Sequence, residues 1–70
     1  MALSLATFIK AKRKEAKLTQ QEFADRAGVA LTVVRKIEQG KENLSLAKVN
    51  QVLMMFGNKL APVSHREIEI

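Results

Sequence analysis

The chain has 70 residues and a formal net charge of +5, with an isoelectric point near 10.0. This length gives one domain, near the lower limit for a core that folds without disulfides or metals. The absence of cysteine excludes both a disulfide framework and a thiolate metal site. The charge favours a polyanionic partner, and the apolar runs are too short to cross a bilayer. We therefore expect a soluble cytoplasmic protein that holds no metal or other cofactor.

The first predicted element is a helix from about Ser4 to Ala16. Its apolar face is made by Leu5, Phe8, Ile9 and Ala16. Most of the basic residues lie opposite this face. The segment from residue 10 to 17 has one acidic residue, Glu15, and five basic residues: Lys10, Lys12, Arg13, Lys14 and Lys17. The positive charge therefore belongs to the helical part of the chain.

A second, shorter helix is predicted from Gln20 to Ala27. Thr19 precedes it, and Glu22 follows three residues later, which is the Thr-x-x-Glu spacing of a capping box. Gly28 fits the left-handed conformation that ends a helix at little cost. This helix therefore has a defined start and a defined end.

The third helix is predicted from about Leu31 to Gln39, and it stops at Gly40. Val34 and Ile37 form its apolar stripe. Two helices this short are not stable alone because nucleation is costly, so they must brace each other and the rest of the chain. Residues 18–40 thus predict a helix-turn-helix, the layout that places one helix in the DNA major groove.

A fourth helix is predicted from Leu46 to Phe56, capped by Ser45 and ended by Gly57 and Asn58. Its spacing predicts five buried residues: Leu46, Val49, Val52, Leu53 and Phe56.

Beyond Asn58 the pattern changes from helical to extended. Leu60, Pro62 and Val63 favour an extended segment, and Ile68 and Ile70 alternate with charged residues as in a strand. A lone strand needs a partner, so the tail either pairs with a second subunit or orders when a partner binds. A frayed terminus is the alternative for residues 64–70.

The third helix offers a solvent-facing edge for reading bases. Thr32 can use its hydroxyl or its methyl, Leu31 can contact a thymine methyl, and Arg35 and Lys36 can donate to guanine. Alternatively, Arg35 and Lys36 form a solvated face, and Leu31 belongs to the core or to a dimer contact. Phosphate contacts are expected at helix ends and in the following loop, from Gln20, Gln21, Lys41 and Asn43.

Five parts of the sequence form an ordered pattern: Leu18-Thr19-Gln20-Gln21-Glu22-Phe23-Ala24, Ala27-Gly28-Val29, Val34, Ile37-Glu38-Gln39-Gly40 and Asn43 to Gly57. This pattern resembles the Cro/repressor helix-turn-helix family. The resemblance covers residues 5–57. It implies an all-α, lambda-repressor-like domain of four to five helices over residues 1–57, with a strand or tail over residues 58–70. It also implies a phosphate contact by Gln20 and base contacts at the positions of Leu31, Thr32 and Lys36.

The same resemblance implies a structural ion pair between Arg13 and Glu38. The chain departs from the family pattern at Ala30 and Leu31, where small polar or amide residues are frequent. Hydrogen-bonded base readout is therefore not expected at these two positions.

The segment Asn58-Lys59-Leu60-Ala61-Pro62-Val63, directly after a minimal domain, resembles HipB-like antitoxins. In those proteins strands of two subunits pair, which here implies a dimer strand of Lys59, Leu60, Ala61 and Val63. The resemblance implies a homodimer on a palindromic double-stranded DNA operator and a HipA-like kinase toxin as partner.

Other functions remain open at this point. The chain could be a stand-alone phage-type or restriction–modification regulator, or a protein-interaction module that has lost DNA binding. We expect no enzymatic activity, because His65 is the single histidine and no pair of carboxylates is placed for acid–base chemistry.

Overall fold

The computed structural model describes residues 4–62 and shows a small all-helical fold. In chain order the helices are α1 (Leu5–Glu15), α2 (Gln20–Ala27), α3 (Leu31–Glu38) and α4 (Leu46–Leu53), followed by one 3-10 turn, Met54–Phe56. The prediction of an all-α fold with four helices is confirmed. None of the helices in residues 4–62 is long and apolar enough to cross a membrane.

Three of the helices begin at a hydroxyl side chain that caps them. Ser4, Thr19 and Ser45 accept hydrogen bonds from the backbone N–H groups of the first turns of α1, α2 and α4. At Thr19 the capping box is complete, because Glu22 Oε1 also accepts from the Thr19 N–H at 2.9 Å. Helix α3 begins at Ala30 without a side-chain cap.

Each helical segment ends in the same left-handed turn. The first or second residue after the segment has a positive φ, and two backbone N–H groups close back on carbonyls of the last turn, which is the Schellman arrangement. Glycine takes the left-handed position after α2, α3 and the 3-10 turn. After α1 that position is Lys17, with φ of 60°.

The core lies where the four helices meet, and α3 packs against both α1 and α2. Its buried residues are Ile9, Phe23, Ala24, Ala27, Val34, Ile37, Val49, Val52 and Leu53. Phe56 covers the core at one end, because its ring stacks on Phe23 with centroids 5.8 Å apart and meets Phe8 edge-on at 6.4 Å. Such aromatic pairs stabilise beyond the area they bury.

Two residues predicted for apolar faces are exposed instead. Leu46 is 70 % exposed, because it starts α4 at the margin of the core, where no described helix covers it. Ala16 is exposed because α1 ends at Glu15 and the chain turns away there.

The strand predicted for Lys59, Leu60, Ala61 and Val63 is not supported over residues 58–62, which are irregular. The Leu60 N–H donates to Asn50 Oδ1 at 2.7 Å, so a side chain of α4 takes the donor that a strand partner would need. Val63 and the tail predictions for residues 64–70 lie outside the described residues.

Candidate nucleic-acid interface

A side chain of α4 forms hydrogen bonds with the turn between α2 and α3. Gly28 takes a φ of 74°, and Gln51 Nε2 donates to the Ala27 and Gly28 carbonyls at 2.9 Å each. A Cβ on Gly28 would lie 2.9 Å from that same nitrogen. Glycine is therefore favoured at position 28 for two reasons: it adopts the positive φ without strain, and it leaves room for the Gln51 side chain.

The far end of α3 is fixed to α1 by an ion pair. Arg13 Nε lies 2.7 Å from Glu38 Oε2, and Arg13 Nη2 donates to Glu38 Oε1 at 3.0 Å. Arg13 Nη1 also donates to the Leu18 carbonyl at 2.9 Å. The two side chains are only 14 % and 3 % exposed, so water does not compete strongly for the pair. The ion pair implied by the family resemblance is thus present.

Gln20 joins this network, since its Nε2 donates to Glu38 Oε1 at 3.2 Å. Burial raises the pKa of the Glu38 carboxyl, but the hydrogen bonds from Arg13 and Gln20 and the charges of Arg13 and Lys10 outweigh this effect. The pKa of Glu38 therefore lies below its usual value of 4.5. The ionised carboxylate orients the Gln20 amide, whose nitrogen keeps a second N–H for another acceptor.

The outer face of α3 is polar and largely exposed. Val34 and Ile37 are 0 % and 1 % exposed, so they fix which face points inward. On the opposite side Thr32, Arg35 and Lys36 are exposed, and Leu31 is half-buried. The helix therefore presents the edge that the sequence predicted for base contacts.

A groove of about 160 Å³ runs beside this face, between α3 and the start of α4. It is lined by Thr32, Val33, Lys36, Asn43, Leu44, Ser45, Lys48 and Val49. It thus brings together two predicted base-contact residues and one predicted phosphate-contact residue. Lys41 is exposed and does not line the groove. On α2, Gln21 Nε2 donates to Asp25 Oδ1 at 2.9 Å and also stays at the surface.

Two exposed residues next to this face were missing from the sequence prediction. Lys48 adds a second ammonium group to the groove beside Lys36. Gln39 caps the C-terminal end of α3, seven residues after Thr32 and therefore on the same side of the helix. The i+7 spacing could have revealed Gln39, whereas nothing in the sequence indicates that α4 approaches α3 at Lys48.

Helix α3 is short and has a buried apolar stripe and an exposed cationic face. A glycine turn fixes its start and an ion pair fixes its end. This arrangement is that of the helix-turn-helix class of DNA-binding domain. The comparisons agree. The profile of the helix-turn-helix family matches residues 9–62. An uncharacterized HTH-type transcriptional regulator, y4mF, of Sinorhizobium fredii (strain NBRC 101917 / NGR234) is 36 % identical over 66 residues, which covers 90 % of this chain and 87 % of the relative. The chain belongs to the helix-turn-helix family.

Proposed function

We propose that this protein is a transcriptional repressor that binds a palindromic DNA operator as a homodimer, with α3 in the major groove. The observation that supports this most is the division of α3 into a fully buried stripe and an exposed polar face, with both helix ends clamped. A clamped helix keeps its base-reading side chains in register, as direct readout requires.

The side chains divide into two roles in this proposal. Base contacts come from Leu31, Thr32, Arg35 and Lys36, since the N-terminal part of a recognition helix lies deepest in the groove. Phosphate contacts come from Gln20 and Gln21 at the start of α2, Lys41 and Asn43 in the loop after α3, and Lys48 of α4.

Dimeric binding implies a two-fold operator. Each subunit places one α3 in the major groove, so the half-sites should be about 34 Å apart, or one helical turn. Residues 10–48 carry ten basic and five acidic side chains. The basic side chains need not all touch DNA, because long-range attraction alone raises the association rate.

A narrower proposal is that the repressor is the antitoxin of a toxin–antitoxin operon, represses that operon and neutralises a HipA-like kinase toxin. It is supported by the resemblance of residues 58–63 to HipB-like antitoxins. In the full chain, Ile68→Asp and Ile70→Asp should weaken binding to a kinase encoded beside this gene and leave operator binding intact. Ala11→Asp, on exposed α1 surface, is the matched control. Unchanged kinase binding by both tail variants contradicts docking through the tail, and no kinase binding by the wild-type chain contradicts the antitoxin role.

The experiment that tests the repressor function compares the DNA upstream of the protein's own gene with a random duplex of equal length. Binding is measured over a series of salt concentrations, because phosphate contacts make affinity fall with salt whereas base contacts preserve a preference. We expect tighter binding to the upstream DNA at every salt concentration. Weak and equal binding to both duplexes contradicts a repressor of its own gene. It favours instead a stand-alone regulator of other genes or an interaction module, for which the apolar Ala30 and Leu31 leave room.

A further inference from the structure

The carboxylate of Glu38 gathers side chains from α1 and α2 at the end of α3. Arg13 donates to both of its oxygens, at 2.7 and 3.0 Å, and Gln20 donates to Oε1 at 3.2 Å. Burial opposes ionisation of Glu38, but these hydrogen bonds and the charges of Arg13 and Lys10 lower its pKa. Lys10 is therefore close enough to act on the carboxylate. We call Lys10, Arg13, Gln20 and Glu38 the Glu38 cluster.

Lys10 lies on the edge of α1 that borders this cluster. It precedes Arg13 by three residues, and side chains at that spacing are neighbours on a helix surface, with Cβ atoms about 5–6 Å apart. Lys10 is exposed, and within residues 4–62 its ammonium group forms no ion pair. Its charge is therefore available to an anion from solution.

The Glu38 cluster carries one uncompensated positive charge. Arg13 and Glu38 neutralise each other in their two-bond ion pair, so the ammonium group of Lys10 is the charge left over. Without Lys10, an anion that approached Gln20 would meet a neutral ion pair whose carboxylate repels it. With Lys10, the same position attracts an anion.

Gln20 supplies a second donor to the same position. One N–H of its Nε2 is used by Glu38 Oε1, and the other N–H remains for a further acceptor. An ionised carboxylate only accepts hydrogen bonds, so Glu38 turns the nitrogen of the Gln20 amide, and not its oxygen, toward the cluster. A phosphate oxygen can accept from this N–H while it approaches the ammonium group of Lys10.

The Glu38 cluster and the groove beside α4 lie on different flanks of α3. Val33 lines that groove, and Glu38 follows five residues later, about 140° around the helix axis on the buried side. The exposed residues Thr32, Arg35 and Lys36 lie between the two flanks on the outer side. A duplex docked on the outer side of α3 therefore brings its phosphates toward both flanks.

We propose that Lys10 binds a phosphodiester of the DNA together with Gln20, so that one edge of α1 belongs to the DNA interface. Lys12 belongs to the same basic helix but has a different environment. It lies about 200° around α1 from Lys10, and its ammonium group stands 5.7 Å from the centre of the Phe8 ring. The inference deepens the proposed function by assigning one cation of α1 to a direct contact, and it rests on that function.

The salt dependence of binding to a random duplex tests this contact in the full chain. Lys10→Ala should reduce the salt slope by about one, because one phosphate is no longer neutralised. The loss of affinity relative to the wild type should therefore shrink about threefold between about 50 and 200 mM salt. Lys12→Ala removes the same charge from the other side of α1 and should leave the slope nearly unchanged. Lys10→Arg keeps the charge and should recover most of what Lys10→Ala loses.

Two double variants test whether Lys10 and Gln20 bind the same phosphate. Lys10→Ala/Gln20→Ala should lose less affinity than the product of the two single losses, since either change alone already releases the phosphate. Lys10→Ala/Lys48→Ala should lose the full product, because Lys48 lies on the other flank of α3. Lys10 is exposed, so its variants should fold, which thermal unfolding followed by circular dichroism verifies.

Three results would overturn the inference. Equal salt slopes for Lys10→Ala and Lys12→Ala would reduce Lys10 to long-range attraction, and a wild type that still binds DNA would leave the proposed function standing. Independent effects of Lys10→Ala and Gln20→Ala would separate the two side chains onto different phosphates. A wild-type chain without salt-dependent binding to any duplex would overturn the proposed function as well.

Discussion

Arg13 and Glu38 lie 25 residues apart in sequence and form a two-bond ion pair that joins α1 to the last residue of α3. The same guanidinium holds the Leu18 carbonyl in the turn after α1, and the same carboxylate accepts from Gln20 at the start of α2. One ion pair therefore positions three helices relative to one another.

Arg13→Met should lower the free energy of unfolding by about 2–4 kcal/mol, because it leaves the nearly buried Glu38 carboxylate without its cation. The double variant Arg13→Met/Glu38→Met should recover part of this loss, since it removes the unpaired charge as well. Urea unfolding of Arg13→Met, Glu38→Met and the double variant gives the coupling energy. A loss below about 0.5 kcal/mol for Arg13→Met would mean that the pair behaves like an exposed one.

The depressed pKa of Glu38 predicts how stability depends on pH. In the unfolded chain the Glu38 carboxylate takes up a proton near pH 4.5, and in the folded chain it does so only at lower pH. The contribution of Glu38 is therefore complete above pH 4.5 and is lost as the pH falls through the folded pKa. Glu38→Gln should be less stable than the wild type at neutral pH, and its stability should change less with pH below pH 4.5.

Urea unfolding at a series of pH values from neutral to acidic measures this dependence. Glu22→Gln is a second test of the same principle, because hydrogen bonds from the Thr19 backbone and side chain also lower the pKa of Glu22. Removing that carboxylate should likewise make stability depend less on pH. Equal slopes for the wild type and Glu38→Gln would show that the carboxylate does not contribute.

Lys17→Gly should stabilise the protein, by about 0.5–1 kcal/mol. Lys17 is the non-glycine residue with a positive φ among residues 4–62, and a left-handed conformation costs an L-residue about 1–2 kcal/mol, which exceeds the entropy that glycine loses on folding. Lys17→Ala removes the charge but keeps the backbone strain, so it should change stability little. Thermal unfolding distinguishes them, and equal midpoints for both variants would contradict the strain argument.

Gly28→Ala should cost more than Gly40→Ala, although both glycines have a φ of 74°. A new Cβ at Gly40 meets nothing within 4 Å, whereas at Gly28 it meets Gln51 Nε2 at 2.9 Å. Gly40→Ala therefore reports backbone strain, about 1–2 kcal/mol, and Gly28→Ala adds the loss of the Gln51 hydrogen bonds, about 1 kcal/mol or more. In a Gln51→Ala background the difference between the two should disappear, as measured by urea unfolding. A difference that persists there would contradict the steric explanation.

DNA binding should separate the two roles proposed for the interface. Thr32→Ala and Lys36→Ala should each cost about 1–3 kcal/mol on the operator and little on random DNA. Lys48→Ala and Gln20→Ala should weaken both duplexes alike, and Lys48→Ala should also reduce the salt slope by about one. Fluorescence anisotropy over a salt series measures all four variants. A sequence-selective loss for Lys48→Ala would move that residue to the base-reading set.

Local signals made most of the fold predictable from sequence. The Thr19–Glu22 capping box and Gly28 defined α2, and the three- and four-residue spacing defined the buried sides of α3 and α4. These features involve residues within one or two turns of each other, so the sequence pattern is sufficient to read them.

The failures all involve contacts between elements or conformations that residue type disfavours. Periodicity could not show that Leu46 lies beyond the covered part of α4, nor that Asn50 would hold the Leu60 backbone. Lysine rarely adopts the left-handed conformation, so the sequence did not indicate the positive φ of Lys17. The contact of Gln20 with Glu38 likewise depends on how three helices pack, which spacing along one helix does not encode.

Within the part of the chain that the structure describes, the outward side chains of α3 form no hydrogen bond, while its position is set by buried residues, Gln51 and the Arg13–Glu38 pair. The side chains that would choose a DNA sequence are thus separate from those that hold the architecture. Two duplicated genes for such a protein can diverge in the sites they address through one or two substitutions on that face. Neither copy need pass through an unstable intermediate.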